Sequence, residues 1–176
     1  TKSDVIKRIT DLAEAGKIFN VIYNDNNGEV KETPIKRLSL NSKPFPLYEK
    51  EDGKVNIAVI NESSGCYYAK CNFCTHPNIT VKYQTRDISI TIQEVKETIE
   101  KTGIGLFRFA GSTTPVSLSN RIADALLTEG LHIEYSMFIR AESKAQERLP
   151  ELVECYEKII RSGLRAVFLG VEAANN

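Results

Sequence analysis

Residues 55–74, "VNIAVINESSGCYYAKCNFC", join a strand pattern to a thiol-rich loop. Residues 55–60 form a short, nearly continuous apolar run rich in β-branched side chains, which predicts a buried strand. The run empties into a loop carrying Cys66, Cys71 and Cys74, three of the chain's four cysteines. Gly65 precedes the first of them, and Tyr67, Tyr68 and Phe73 lie between.

Downstream, strand and helix patterns alternate. Thr91-Ile92-Gln93-Glu94 has the form of a capping box and predicts a helix with Ile92, Val95 and Ile99 on one face, stopped at Gly103. Residues 105–110 read as a second strand. A helix over about 118–129 follows, with Leu118, Ile122, Ala125 and Leu126 inward and Gly130 at its end. Residues 132–140 read as a third strand. Pro150 suits the first turn of a helix that runs to about Ser162 and stops at Gly163. Residues 165–172 read as a fourth strand. This alternation implies a parallel sheet with right-handed crossovers.

A period of two then sorts the strand residues into two faces. Phe107, Phe109, Ile133, Tyr135, Met137, Val167 and Leu169 form an apolar face, fit to meet helices. Arg108, Ser136, Arg140 and Glu172 fall on the other face. A polar face of this kind suits the lumen of a barrel or half-barrel that holds a polar ligand. The expected fold is therefore α/β, a partial TIM-like (β/α) barrel. Its chemistry belongs at the C-terminal strand ends, where the cysteine loop, Arg140 and Glu172 lie.

Before the first strand, residues 3–15 read as a helix with Val5, Ile6, Ile9 and Leu12 at helical spacing. Asn27-Gly28, between two extended segments, signals a hairpin. Residues 37–54 read as a connector whose Pro44 and Pro46 favour extended backbone. The boundary is placed near residue 52. Residues 1–52 would be a small N-terminal α+β segment, and residues 53–176 four β/α units.

With 23 Lys+Arg against 23 Asp+Glu, the chain carries no basic excess that would favour nucleic acid. No apolar run approaches the roughly 20 residues of a membrane span, and the N-terminus has no signal-peptide core. The expected location is the cytoplasm. Thiols stay reduced there, so clustered cysteines point to metal or redox chemistry. Structural zinc normally takes four ligands, and His76 would complete a Cys₃His set with Cys66, Cys71 and Cys74. That would make the chain a zinc-binding interaction module. Alternatively, three thiolates leave one iron of a [4Fe–4S] cluster without a protein ligand, open to a small molecule. Cys155 reads as a small core hydrophobe, and Tyr67 and Tyr68 as loop packing. Arg108 is a mid-strand charge, readable as a paired structural residue.

"GCYYAKCNFC" resembles the cluster loop of the radical S-adenosylmethionine (SAM) enzymes, including the aromatic residue, Phe73, before the last cysteine. Four residues separate Cys66 from Cys71, where that family most often has three. "YQTRDISITIQEVKETI", "GLHIEYSMFIRAE" and "GLRAVFLGVEAANN" are similar to its approach to the first barrel helix, its arginine-ended third strand and its fourth strand. "NSKPFPLYE" resembles the linker of cobalamin-associated members.

The resemblance covers about residues 40–176. It implies reductive cleavage of SAM at a [4Fe–4S] cluster, giving a 5′-deoxyadenosyl radical that acts on a small-molecule or peptide substrate. A flavodoxin or ferredoxin would supply electrons, and any cobalamin would bind outside this segment. It implies that Cys66, Cys71 and Cys74 hold the cluster and that Phe73 lies against the adenine. Gly111, Ser112 and Thr113 stand where the family has a Gly-Gly-Glu stretch facing the SAM amino group, although no glutamate follows here. Arg140 would pair with the SAM carboxylate and Glu172 with the ribose. The family barrel has six strands, so a chain with four is expected to be part of a longer enzyme, poorly stable or self-associating alone.

Overall fold

A computed structural model describes residues 2–25, 27–36, 38–75, 82–141 and 145–170. The chain divides into two compact units, Thr1–Leu38 and Ser39–Asn176. The first contains helix α1 (Lys2–Glu14) and strands β1 (Ile22–Asn24) and β2 (Val30–Glu32), paired antiparallel. The hairpin signal is thus met. Asp25 Oδ1 accepts from the Asn27 and Glu29 amides at 2.9 Å, which fixes the turn.

The second unit is built on four parallel strands, β3 (Ile57–Ile60), β6 (Leu106–Phe109), β7 (Glu134–Ile139) and β8 (Leu164–Leu169), adjacent in that order. Three helices connect them: α2 (Ile88–Thr102), α3 (Val116–Thr128) and α4 (Leu149–Arg161). Two further strands, β4 (Ser63–Ser64) and β5 (Gln84–Thr85), pair antiparallel as a separate two-stranded ribbon. A doubly wound sheet reverses its strand order and covers both faces. This sheet never reverses, so right-handed crossovers put every connecting helix on one side.

That side is the core. Ala58, Ile60, Phe107, Phe109, Tyr135, Met137 and Ile139 from the sheet are buried against Ile92, Val95, Ile122, Leu126 and Ile159 from the helices. Phe109 and Tyr135 meet edge to face at 5.1 Å. The Tyr135 hydroxyl lies 2.8 Å from Ser162 Oγ, and burial pushes its phenol up to about 12. The face assignment for β6 and β7 is therefore met, whereas β3, expected to be buried throughout, is buried only at Ala58 and Ile60, with Ile57 and Val59 exposed.

Two expectations need correcting. Helix α2 begins at Ile88, one turn before the capping-box pattern, and Thr91 is inside it with its Oγ1 donating to the Asp87 carbonyl. Ile88 and Ile90 extend the helix backwards, and Asp87 caps it without a side-chain bond. In β8 only Leu164 is buried; Val167 and Leu169 are 43% and 52% exposed rather than covered by helices.

The compact unit starts at Ser39, ahead of the expected boundary, because the proline-containing connector packs on it. Leu40 is buried. The Tyr48 hydroxyl donates to the Val59 carbonyl at 2.7 Å and accepts from the Val59 amide at 2.9 Å, so it satisfies both backbone groups at the open edge of β3. Arg86, just before α2, forms a buried ion pair with Glu94. It also donates to the Lys43 carbonyl at 3.2 Å and lies 5.1 Å from the Phe45 ring centre. No helix among the described residues is long and apolar enough to cross a membrane.

Candidate functional site

The cysteine loop leaves the C-terminal end of β3 and is pinched at its base by the β4–β5 pairing, Ser63 opposite Thr85 and Ser64 opposite Gln84. Gly65 (φ 81°) turns the chain into the loop, and Ala69 holds a left-handed conformation with its amide 3.5 Å from Cys66 Sγ. The Cys74 amide donates to the Cys71 carbonyl at 3.2 Å. Neighbouring thiols thus sit on tight turns. All three are free and half-buried.

They line one wall of a cavity of about 680 Å³ at the C-terminal end of the sheet. Ser112, Thr113 and Arg140 line it too, as do the Phe73, Phe138 and Phe168 rings. The volume is that of a site for a medium-sized organic ligand. Cys66, Cys71, Cys74, Phe73, Ser112 and Arg140, read separately from the sequence, are thereby brought together. His76 and Glu172 lie outside the described residues. Cys155 packs against the core from α4, as expected.

The cavity wall is less polar than the strand pattern suggested, because its cations lie on rings. The Arg140 guanidinium stands 3.2 Å from the Tyr68 ring centre. Arg108 rests on the Phe138 and Phe168 rings. Thr113 is 7% exposed, and its hydroxyl has no partner among the described residues although the residue lines the cavity. A buried hydroxyl of this kind is costly unless something supplies a hydrogen bond.

Gly111 is placed otherwise. Its amide donates to both Glu62 carboxylate oxygens at 3.0 and 3.2 Å, behind the cavity wall. Thr114 Oγ1 donates to Glu62 Oε1 at 2.6 Å. A β-carbon at position 111 would overlap this carboxylate and the Ser63 hydroxyl, so a side chain here would have to displace them. Glu62 is 1% exposed, and burial raises its carboxyl above the ordinary range against the pull of these donors. It ties the root of the cysteine loop to the loop that carries Ser112 and Thr113. Sequence reasoning missed it. The only signal was an acid two residues beyond a buried strand.

Among the described residues, no three His, Cys, Asp or Glu side chains converge on a single metal ion. A mononuclear zinc site needs thiolates about 2.3 Å from one ion. His76, the fourth ligand of the zinc alternative, lies outside the described residues.

No family model matches the chain. A curated protein does match part of it. It is the anaerobic magnesium-protoporphyrin IX monomethyl ester cyclase of Cereibacter sphaeroides. The two are 26% identical over 122 residues, 68% of this chain and 19% of the cyclase. The chain thus spans about a fifth of the length of the relative it matches.

Proposed function

We propose that this chain is the cluster-binding part of a radical SAM enzyme, its sheet the first four β/α units of a partial barrel. The observation that carries the reading is the meeting of Cys66, Cys71 and Cys74 with Arg140 at one cavity beyond the C-terminal strand ends. The partial similarity to an enzyme named for anaerobic chemistry supports it.

In this reading the three thiolates hold a [4Fe–4S] cluster, which suits their donor chemistry. When bound, the cluster and SAM supply one-electron reduction and a radical able to take hydrogen from an unreactive carbon. The chain's own residues bind, orient and exclude water. Arg140, held by Tyr68, presents a planar fork to the SAM carboxylate. Thr113 Oγ1 and Ser112 offer hydrogen bonds to the amino-acid end. Phe73 covers the adenine, and Glu172 accepts from the ribose. Glu62 fixes the spacing between the cysteine loop and the Ser112–Thr113 wall. A reducing cytoplasm, with a flavodoxin or ferredoxin as donor, suits free thiols of this kind. Any cobalamin would be held outside this segment.

The test is SAM turnover. The anaerobically reconstituted, dithionite-reduced chain is incubated with SAM, and products are separated by liquid chromatography. Accumulation of 5′-deoxyadenosine and methionine, lost in Cys71→Ser, is expected. Intact SAM beside a demonstrably reduced cluster contradicts the proposal.

A further inference from the structure

Arg108 stands mid-strand in β6, on the sheet face away from the helices. Its guanidinium carbon lies 5.0 Å from the Phe138 ring centre and 4.6 Å from that of Phe168, and the two rings are 5.1 Å apart. Its rung of the sheet is filled by Val59, Ser136 and Ala166, none of them acidic. The strand neighbours sharing its face, Leu106 and Ala110, are apolar. Among the described residues nothing gives it a carboxylate. Glu172, which the strand pattern puts on the same face, lies outside the described residues; among those described, the two rings are what Arg108 rests on.

Two rings hold the guanidinium by cation–π contact, and among the described residues no acidic side chain takes its N–H edges. The same two rings line the cavity. The sheet thus presents an apolar aromatic surface with a cation set against the same two rings. An anion approaching along this face meets donors already oriented and partly shielded from water.

We propose that Arg108 binds the carboxylate of a small-molecule ligand whose apolar body lies on Phe138 and Phe168. This deepens the proposed function and rests on it for one point, that the carboxylate belongs to the molecule acted on. The geometry favours a carboxylate over a neutral polar group because a planar fork matches two oxygens.

The experiment uses the iron-free chain and two fluorescent probes, 1-pyrenebutyrate and 1-pyrenebutanol, which share a flat apolar body and differ in charge. The acid should bind roughly tenfold more tightly than the alcohol, as one charge-assisted contact warrants. R108Q should erase that preference, R108K should keep part of it, and Phe138→Leu should weaken both probes alike. The preference should also shrink as sodium chloride is raised, a readout on the native chain that needs no variant. Equal affinities for the two probes overturn the proposal. So does a preference that ignores salt, survives R108Q, or disappears in R140Q instead. Iron is absent throughout, so failure here leaves the cluster reading standing, and failure to assemble a cluster leaves this preference measurable.

Discussion

Arg140, at the end of β7, stacks on Tyr68 of the cysteine loop with 3.2 Å between guanidinium carbon and ring centre. The contact joins the cation proposed to read a carboxylate to the loop proposed to hold iron. Stacking fixes the plane of the fork while its N–H groups remain free to donate. R140Q should weaken SAM binding by about 10- to 100-fold, the range for lost charge-assisted hydrogen bonds. R140K should recover little, since an ammonium has no fork. Y68F should bind normally and Y68A in between. Equilibrium dialysis of the reconstituted proteins measures all four. Full recovery by R140K would show that charge alone matters at this position.

Glu62 organises the wall behind that site. Glu62→Ala leaves the Gly111 amide and the Thr114 hydroxyl facing a buried gap, and should cost about 1–3 kcal/mol in urea melts. Gly111→Ala should be comparably damaging, because it evicts the same carboxylate. Glu62→Gln keeps an acceptor and should be milder.

The titration of Glu62 has a definite sign. Burial raises its carboxyl in the folded chain above the ordinary 4.5. The folded state then binds the proton more tightly than the unfolded one, so this group's contribution is full below about 4.5 and declines as pH rises through the raised value. The stability difference between the native chain and Glu62→Gln, followed by urea melts across mildly acidic pH, should fall with rising pH and then level off. A difference that grows with pH contradicts the burial assignment.

Arg86 and Glu94 form a buried pair, 4% and 1% exposed, at the start of α2. Removing one partner strands the other charge in the core. Arg86→Met should cost about 3–5 kcal/mol, and the double variant Arg86→Met with Glu94→Leu should regain most of it. Chemical denaturation of the single and double variants checks this. Equal losses in both would mean that Arg86 acts mainly through Lys43 and Phe45.

The sheet was legible because its strands are buried on one face and their side chains keep a period of two. Phe107, Phe109, Tyr135 and Met137 are buried as that alternation requires. The start of α2 was misread because Thr91 and Glu94 match a cap by spacing, whereas both are buried inside the helix. Strands β4 and β5, at two residues each, are too short to show any period. That the cysteine loop and Arg140 share one end of the sheet was legible from the strand pattern, whereas Phe73 and Ser112 were singled out only by the family resemblance. The stacking of Arg108 and Arg140 was not legible, since it depends on which rings neighbouring elements bring near. Glu62 was missed for the same reason. Its partners are Gly111 and Thr114, far along the chain and joined to it only by the fold.

The central claim is that three thiolates of one loop hold a cluster with an open iron. Its most direct test is iron and sulfide content after anaerobic reconstitution, read beside the electron paramagnetic resonance spectrum of the dithionite-reduced protein. The account expects about four irons per chain, a reduced-cluster signal that changes when SAM is added, and loss of both in Cys66→Ser, Cys71→Ser or Cys74→Ser but not in Cys155→Ser. One zinc per chain with no iron, or a cluster that survives loss of any of the three loop cysteines, would contradict it.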